Sequence, residues 1–155
     1  MENNYAQISF QNVCQFFDKR GWNYDADQQS LSIRYTVGGE DLDMSYKIFF
    51  EEERSLFIII SNLPFTVPSE KVVEYSIASN LVNDNIPFGS FSYNMSKGSS
   101  SFTLVNTFRT NPINEKMMDF FMSYVDYMVD KFNDKLYEVS RGYLNPVDII
   151  KEQEG

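Results

Sequence analysis

The two aspartates of Asp25-Ala26-Asp27 carry the spacing with which an EF-hand loop begins, since carboxylates two residues apart can share one hard cation. The rest of such a loop is missing. Ser30 stands where the sharp turn needs glycine and Thr36 where a bidentate glutamate should close the site, so the stretch reads as a solvated turn. Two further acidic groups, Glu40-Asp41 with Asp43 and Glu51-Glu52-Glu53, could hold a hard cation weakly. Nothing in their flanks suggests the desolvation that raises a carboxyl pKa for acid–base work. Nucleophiles fare no better. The chain has no histidine, which removes the commonest general base at neutral pH and the commonest zinc ligand together. No Ser-x-x-Lys spacing replaces it, because the lysine of Ser69-Glu70-Lys71 lies only two residues on. The single cysteine, Cys14, sits with Val13 and Phe17 on an apolar helical stripe and reads as an inert packed thiol. The glycines at 21, 38, 39, 89, 98 and 142 punctuate turns and form no phosphate-cradling loop. The expectation is a protein that is not an enzyme, with no catalytic residue, no metal and no cofactor.

Composition agrees with that expectation. The 22 acidic against 13 basic residues give a net charge of −9, and no lysine–arginine cluster reverses the sign locally, which disfavours nucleic acid and anionic membrane surfaces as partners. One cysteine excludes an internal disulfide framework and fits a reducing compartment. The N-terminal Met1-Glu2-Asn3-Asn4 is polar, and no apolar run approaches the roughly 18 residues of a membrane span, so the chain reads as cytoplasmic. With 155 residues, 43% of them apolar, a single domain spanning 1–155 with its core over about 8–140 is expected.

The elements follow from periodicity. Phe10, Val13, Cys14 and Phe17 mark one face of a first helix, stopped by Gly21. Trp22 to Asp27 is a short extended lead-in. Leu31, Ile33, Tyr35 and Val37, then Leu42, Met44, Tyr46, Ile48 and Phe50, alternate as two strands of a hairpin turned at Gly38-Gly39. The third run, Leu56 to Ile60, is apolar at every position and implies a strand covered on both faces. By parity Phe49, Phe57 and Ile59 are assigned to the second face, to be covered by the central helix or by another chain. Pro64 and Pro68 end that strand and launch a helix capped by Ser69, with Val73, Ile77 and Leu81 as its inner stripe. A second hairpin follows, from Gly89 and Phe91 through the turn at Lys97-Gly98 to Phe108. The last helix runs from a cap at Asn114 to about Ser140 with two adjacent apolar stripes, one of them containing Met118 and Met122. Either both stripes meet core, or the methionine-rich side receives a partner. Asn145-Pro146 could open a short tail helix over 145–151.

The order helix, three strands, helix, two strands, helix resembles the YbjN-like family, which shares the fold of the type III secretion chaperones. The specific part of the resemblance is Ala78 to Phe91, which looks like that family's pattern: asparagines three apart (Asn80 and Asn83), an aliphatic–proline pair (Ile86-Pro87), then Gly89 and an aromatic at the strand start. Each of these residues also has a sufficient backbone reason at a helix-to-strand joint, since amides bond free carbonyls, proline ends helix and glycine permits close approach.

The resemblance implies an α+β fold of order α-β-β-β-α-β-β-α, with a twisted antiparallel five-stranded sheet packed against helices, and a small acidic chaperone-like protein, often a homodimer, binding an extended partner segment. The functional expectation is a non-enzymatic protein-interaction module with Phe49, Phe57, Ile59, Met118 and Met122 as contact residues. The alternative is a small-molecule-binding or enzymatic α+β domain with an aromatic-lined pocket between sheet and last helix.

Overall fold

The computed structural model describes residues 4–38 and 43–151. The expected Gly38-Gly39 turn, Leu42 and the Glu40-Asp41 acidic group therefore lie wholly or partly outside the described residues. Helix α1 (Tyr5–Lys19) is followed by strands β1 (Asp25–Asp27), β2 (Ser32–Gly38), β3 (Asp43–Glu51) and β4 (Leu56–Thr66). A 3-10 turn (Ser69–Lys71) leads into α2 (Val72–Asp84), then come β5 (Ser90–Asn94), β6 (Ser99–Thr107) and α3 (Glu115–Ser140). The fold is α+β, with one antiparallel sheet of six strands in the order β1-β2-β3-β4-β6-β5. The sixth strand is β1. Its three exposed residues pair with Ser32, Ile33 and Arg34, and a strand that buries nothing leaves no apolar alternation to find.

Register fixes which residues share a face, because directly opposed residues in an antiparallel ladder point the same way. Ile33 opposes Ile48, Ile48 opposes Ile59, and Ile59 opposes Leu104; Phe50 opposes Phe57. All are buried, and the helices cover this face: Phe10 of α1 meets Phe50, and Phe121 of α3 stacks on Phe57. The parity assignment of Phe57 and Ile59 is thereby corrected. Both lie on the core face with Ile48 and Phe50, while Phe49 alone of the three points away. The tight bend at Glu51–Ser55 exchanges parity between β3 and β4, because Glu51 opposes Leu56 across an even-numbered loop, with Ser55 at a positive φ of 59°.

Strand β4 continues through Pro64 to Thr66, beyond the expected stop. The last β3–β4 pair is Ser45 with Asn62, and the β6 register shifts between Asn62 and Thr66, so Pro64 sits at an irregularity where no ladder partner needs its missing N–H. Helix α2 is rotated from expectation: Tyr75, Ala78, Ser79 and Val82 are buried, whereas Val73 and Ile77 are exposed. The anchor is Tyr75, whose hydroxyl donates to Ser100 of β6 from a wholly buried position. In α3, Asn114 caps as expected by accepting from the Met117 N–H at 3.0 Å, and both apolar stripes enter the core. Met118 and Met122 are buried there. The tail forms a single 3-10 turn, Pro146–Asp148, where a helix over 145–151 was expected, and Ile149 is tucked into the core.

Candidate functional site

The joint between α2 and β5 is built by Asn83. Its Oδ1 accepts from the Phe91 N–H at 2.8 Å and its Nδ2 donates to the Phe91 carbonyl at 2.9 Å. Phe91, the second residue of β5, pairs with Phe102, so one carboxamide takes the place of a further strand at the outer edge near the start of β5. Asn85 closes the helix, its Nδ2 donating to the Leu81 carbonyl at 2.8 Å. Gly89 has φ +80°, and a Cβ there would overlap the tip of the Phe102 ring, so both backbone conformation and space demand glycine. Pro87 is exposed, and Asn80 is exposed with no side-chain hydrogen bond among the described residues. Of the four pattern residues, then, Asn83 and Gly89 hold the joint.

Phe88 lies outside the joint on α3, its ring stacked on Tyr124 at a centroid distance of 4.0 Å and facing Phe120 at 5.8 Å. The Tyr124 hydroxyl donates to the Phe88 carbonyl at 2.5 Å. Nothing in the sequence linked Phe88 to Phe120 and Tyr124, which lie more than thirty residues away.

The opposite face of the sheet carries the larger feature. Phe49, Ile58 and Val105 stand in one row across β3, β4 and β6, with Ile60 in the next row beside Lys47 and Thr103. The three helices pack on the other face, and among the described residues no element packs over this row: Lys47 Nζ lies 5.3 Å from the Phe49 ring centroid, Phe49, Ile58 and Ile60 are half-buried and Val105 is 52% exposed. An all-apolar β4 predicted cover on both sides, and the described residues supply it on one. Phe49 is the single sequence-predicted contact residue that lies on this face. Phe57, Ile59, Met118 and Met122 are in the core and do not meet it.

Chemically reactive geometry is sparse. Tyr46 of β3 donates to Asp126 of α3 at 2.6 Å. Desolvation pushes the Asp126 carboxyl above its ordinary value; the Tyr46 hydrogen bond opposes the rise and the Asp130 charge adds to it. Tyr46 is likewise raised, by burial first and by the Asp126 bond next. The buried Ser61 hydroxyl faces Tyr46 across the β3–β4 ladder, and the Tyr46–Asp126 bond ties helix to sheet. Among the described residues no group of three or more histidine, cysteine or acidic side chains could hold a metal, and no helix is long and apolar enough to cross a membrane. The space between sheet and α3, where the alternative expectation needs a pocket, holds the buried rings of Phe57 against Phe121 and Phe91 against Phe132.

No family model and no curated protein matches the sequence. The structure has known counterparts. YbjN from E. coli, a candidate transcription regulator, superposes with a TM-score of 0.59 at 8% identity over 77% of this chain and 84% of that one. A chain of the HopA1-SchA chaperone-effector complex superposes with a TM-score of 0.53 at 7% identity over 84% of this chain and 99% of that one. The chain thus has the YbjN-like fold shared with type III secretion chaperones, and at these identities the likeness is one of fold.

Proposed function

We propose that this chain is a cytoplasmic, non-enzymatic, chaperone-like protein-interaction module, one domain that works as a homodimer and holds an apolar segment of a partner protein against the open face of its sheet. The observation that carries the reading is the uncovered row Phe49, Ile58 and Val105 with Ile60 beside it. A contiguous apolar strip over three central strands is the kind of surface that marks protein contacts. The reading is supported by a fold shared with one chain of a chaperone–effector complex and by a sheet–helix interface filled with rings where a substrate pocket would have to be.

The test is a photo-crosslinking amino acid placed at Phe49 or Val105 in the native host, with Met95 at the exposed hairpin tip as control. Adducts with one protein from the first two positions, lost when Ile58→Lys is added, are expected. Adducts equally from Met95, or none from the sheet face, overturn the proposal. Sedimentation equilibrium tests the homodimer separately.

A further inference from the structure

We propose a second binding site, in the cleft where the end of β6, helix α1 and the start of α3 converge, that holds an uncharged, extended stretch of polypeptide by its backbone. The cleft has a volume of about 510 Å3, within the range of ligand-sized clefts. Its lining comes from two separate parts of the chain: Asn12 of α1, and the continuous stretch from Asn106 at the end of β6 through Thr110 and Asn111 to Asn114 and Met117 at the start of α3. No charged side chain lines it, although 23% of the chain is charged.

A carboxamide offers both an acceptor and donors, which is the complement of a peptide group. This molecule already contains that pairing, in the two bonds from Asn83 to the backbone of Phe91. The carboxamides of the cleft keep capacity for the same role. Asn12 uses only its Nδ2, bonded to the Ile113 carbonyl at 2.9 Å, which leaves its Oδ1. Asn106 uses only its Oδ1, accepting from the Thr107 N–H at 2.7 Å, which leaves its Nδ2. Asn111 and Thr110 are exposed and their side chains make no hydrogen bond among the described residues. Half-buried Met117 supplies an adaptable apolar contact for one side chain of the bound segment. No aromatic ring lines the cleft to receive the apolar face of a sugar.

Recognition of this kind tolerates sequence changes in the bound segment and is insensitive to salt, since no charge takes part. The cleft is on the helix-covered side of the sheet, so it does not depend on the open-face reading.

The probe is an acetylated and amidated hexapeptide of alternating threonine and valine, titrated to low millimolar into isotope-labelled protein while the side-chain amide resonances of Asn12, Asn106 and Asn111 are followed. Those resonances are expected to shift alike at low salt and at about 0.5 M salt. N-methylation of every second peptide nitrogen is expected to weaken binding about tenfold, the loss of one to two hydrogen bonds. The double variant Asn106→Leu with Asn111→Leu should lose the remaining Asn12 shift while its core resonances stay in place, and Phe49→Lys on the open face should leave all three shifts unchanged. No shift, equal shifts with the methylated peptide, or shifts produced instead by a neutral oligosaccharide such as cellotetraose overturns the proposal.

Discussion

Replacing Asn83 by alanine should destabilise the protein while replacing Asn80 should not. The Asn83 carboxamide makes two hydrogen bonds to one peptide group, at 2.8 and 2.9 Å, and Phe91 is buried. A hydrogen bond of this type contributes about 1 kcal/mol net, and a buried donor or acceptor left without a partner costs about 1–3 kcal/mol. The Phe91 N–H and carbonyl point out of the sheet edge, where water can reach them once the side chain is gone, so the expected loss is near two ordinary hydrogen bonds, about 2 kcal/mol. For a chain of 155 residues that lowers Tm by about 4–8 °C. Asn80→Ala, at an exposed position without a bond, should stay within about 0.5 kcal/mol of the parent. Asn83→Asp is the sharper probe. It keeps the acceptor for the Phe91 N–H but sets a carboxylate against the Phe91 carbonyl, and should cost at least as much as alanine. Urea unfolding followed by far-UV circular dichroism reads all three. If Asn83→Ala lies within 0.5 kcal/mol of the parent, or if Asn80→Ala costs as much, the assignment of the joint to Asn83 is wrong.

Three further perturbations test other parts of the structure. Gly89→Ala forces a Cβ into the Phe102 ring at a positive φ, and should cost about 1–3 kcal/mol by denaturant unfolding, whereas a glycine-to-alanine change at a conformation alanine tolerates gains about 0.4–1 kcal/mol. Ile59→Ala should cost about 2–5 kcal/mol and Ile58→Ala about 1 kcal/mol or less, since the first empties the core and the second thins an open face; equal costs would return the sheet to the parity read from sequence. Asp126 has a folded-state pKa above its ordinary 3.8, so the folded state holds its proton more tightly than the unfolded chain. Its contribution therefore becomes less favourable as pH rises from about 3.8 through the folded pKa. Asp126→Asn, whose amide oxygen still accepts from Tyr46, should gain stability relative to the parent as pH rises through that window and show no gain below it; a gap independent of pH refutes the assignment.

What could be read from sequence was whatever periodicity or turn chemistry records. Strands β2 to β6, the cap at Asn114 and the stop at Gly142 follow from alternation and local backbone preference, and they stand in the structure. What failed were relations between elements. The parity of β4 against β3 depends on the bend at Ser55, the face of α2 on the buried bond from Tyr75 to Ser100, and β1 on pairing alone. None of these leaves a mark in the alternation of its own segment. The same limit hid Val105, Phe88 and the amide-lined cleft, each of which exists only where separate segments meet.

The open face is best understood against the edge beside it. At β5 the chain closes part of a strand edge with the Asn83 carboxamide, a device that blocks strand addition at Phe91, near the start of that strand. Among the described residues no element packs on the outer face of the central strands, where Phe49, Ile58 and Ile60 are half-buried and Val105 is exposed. Solubility alone would place polar residues there, as Thr36, Ser45, Asn62 and Ser101 do in the row across β2, β3, β4 and β6 four residues along from Phe49, Ile58 and Val105. On the proposed reading, the carboxamide at the β5 edge, the polar row across one part of this face and the apolar row across another would together admit a partner by that face and exclude one from that edge.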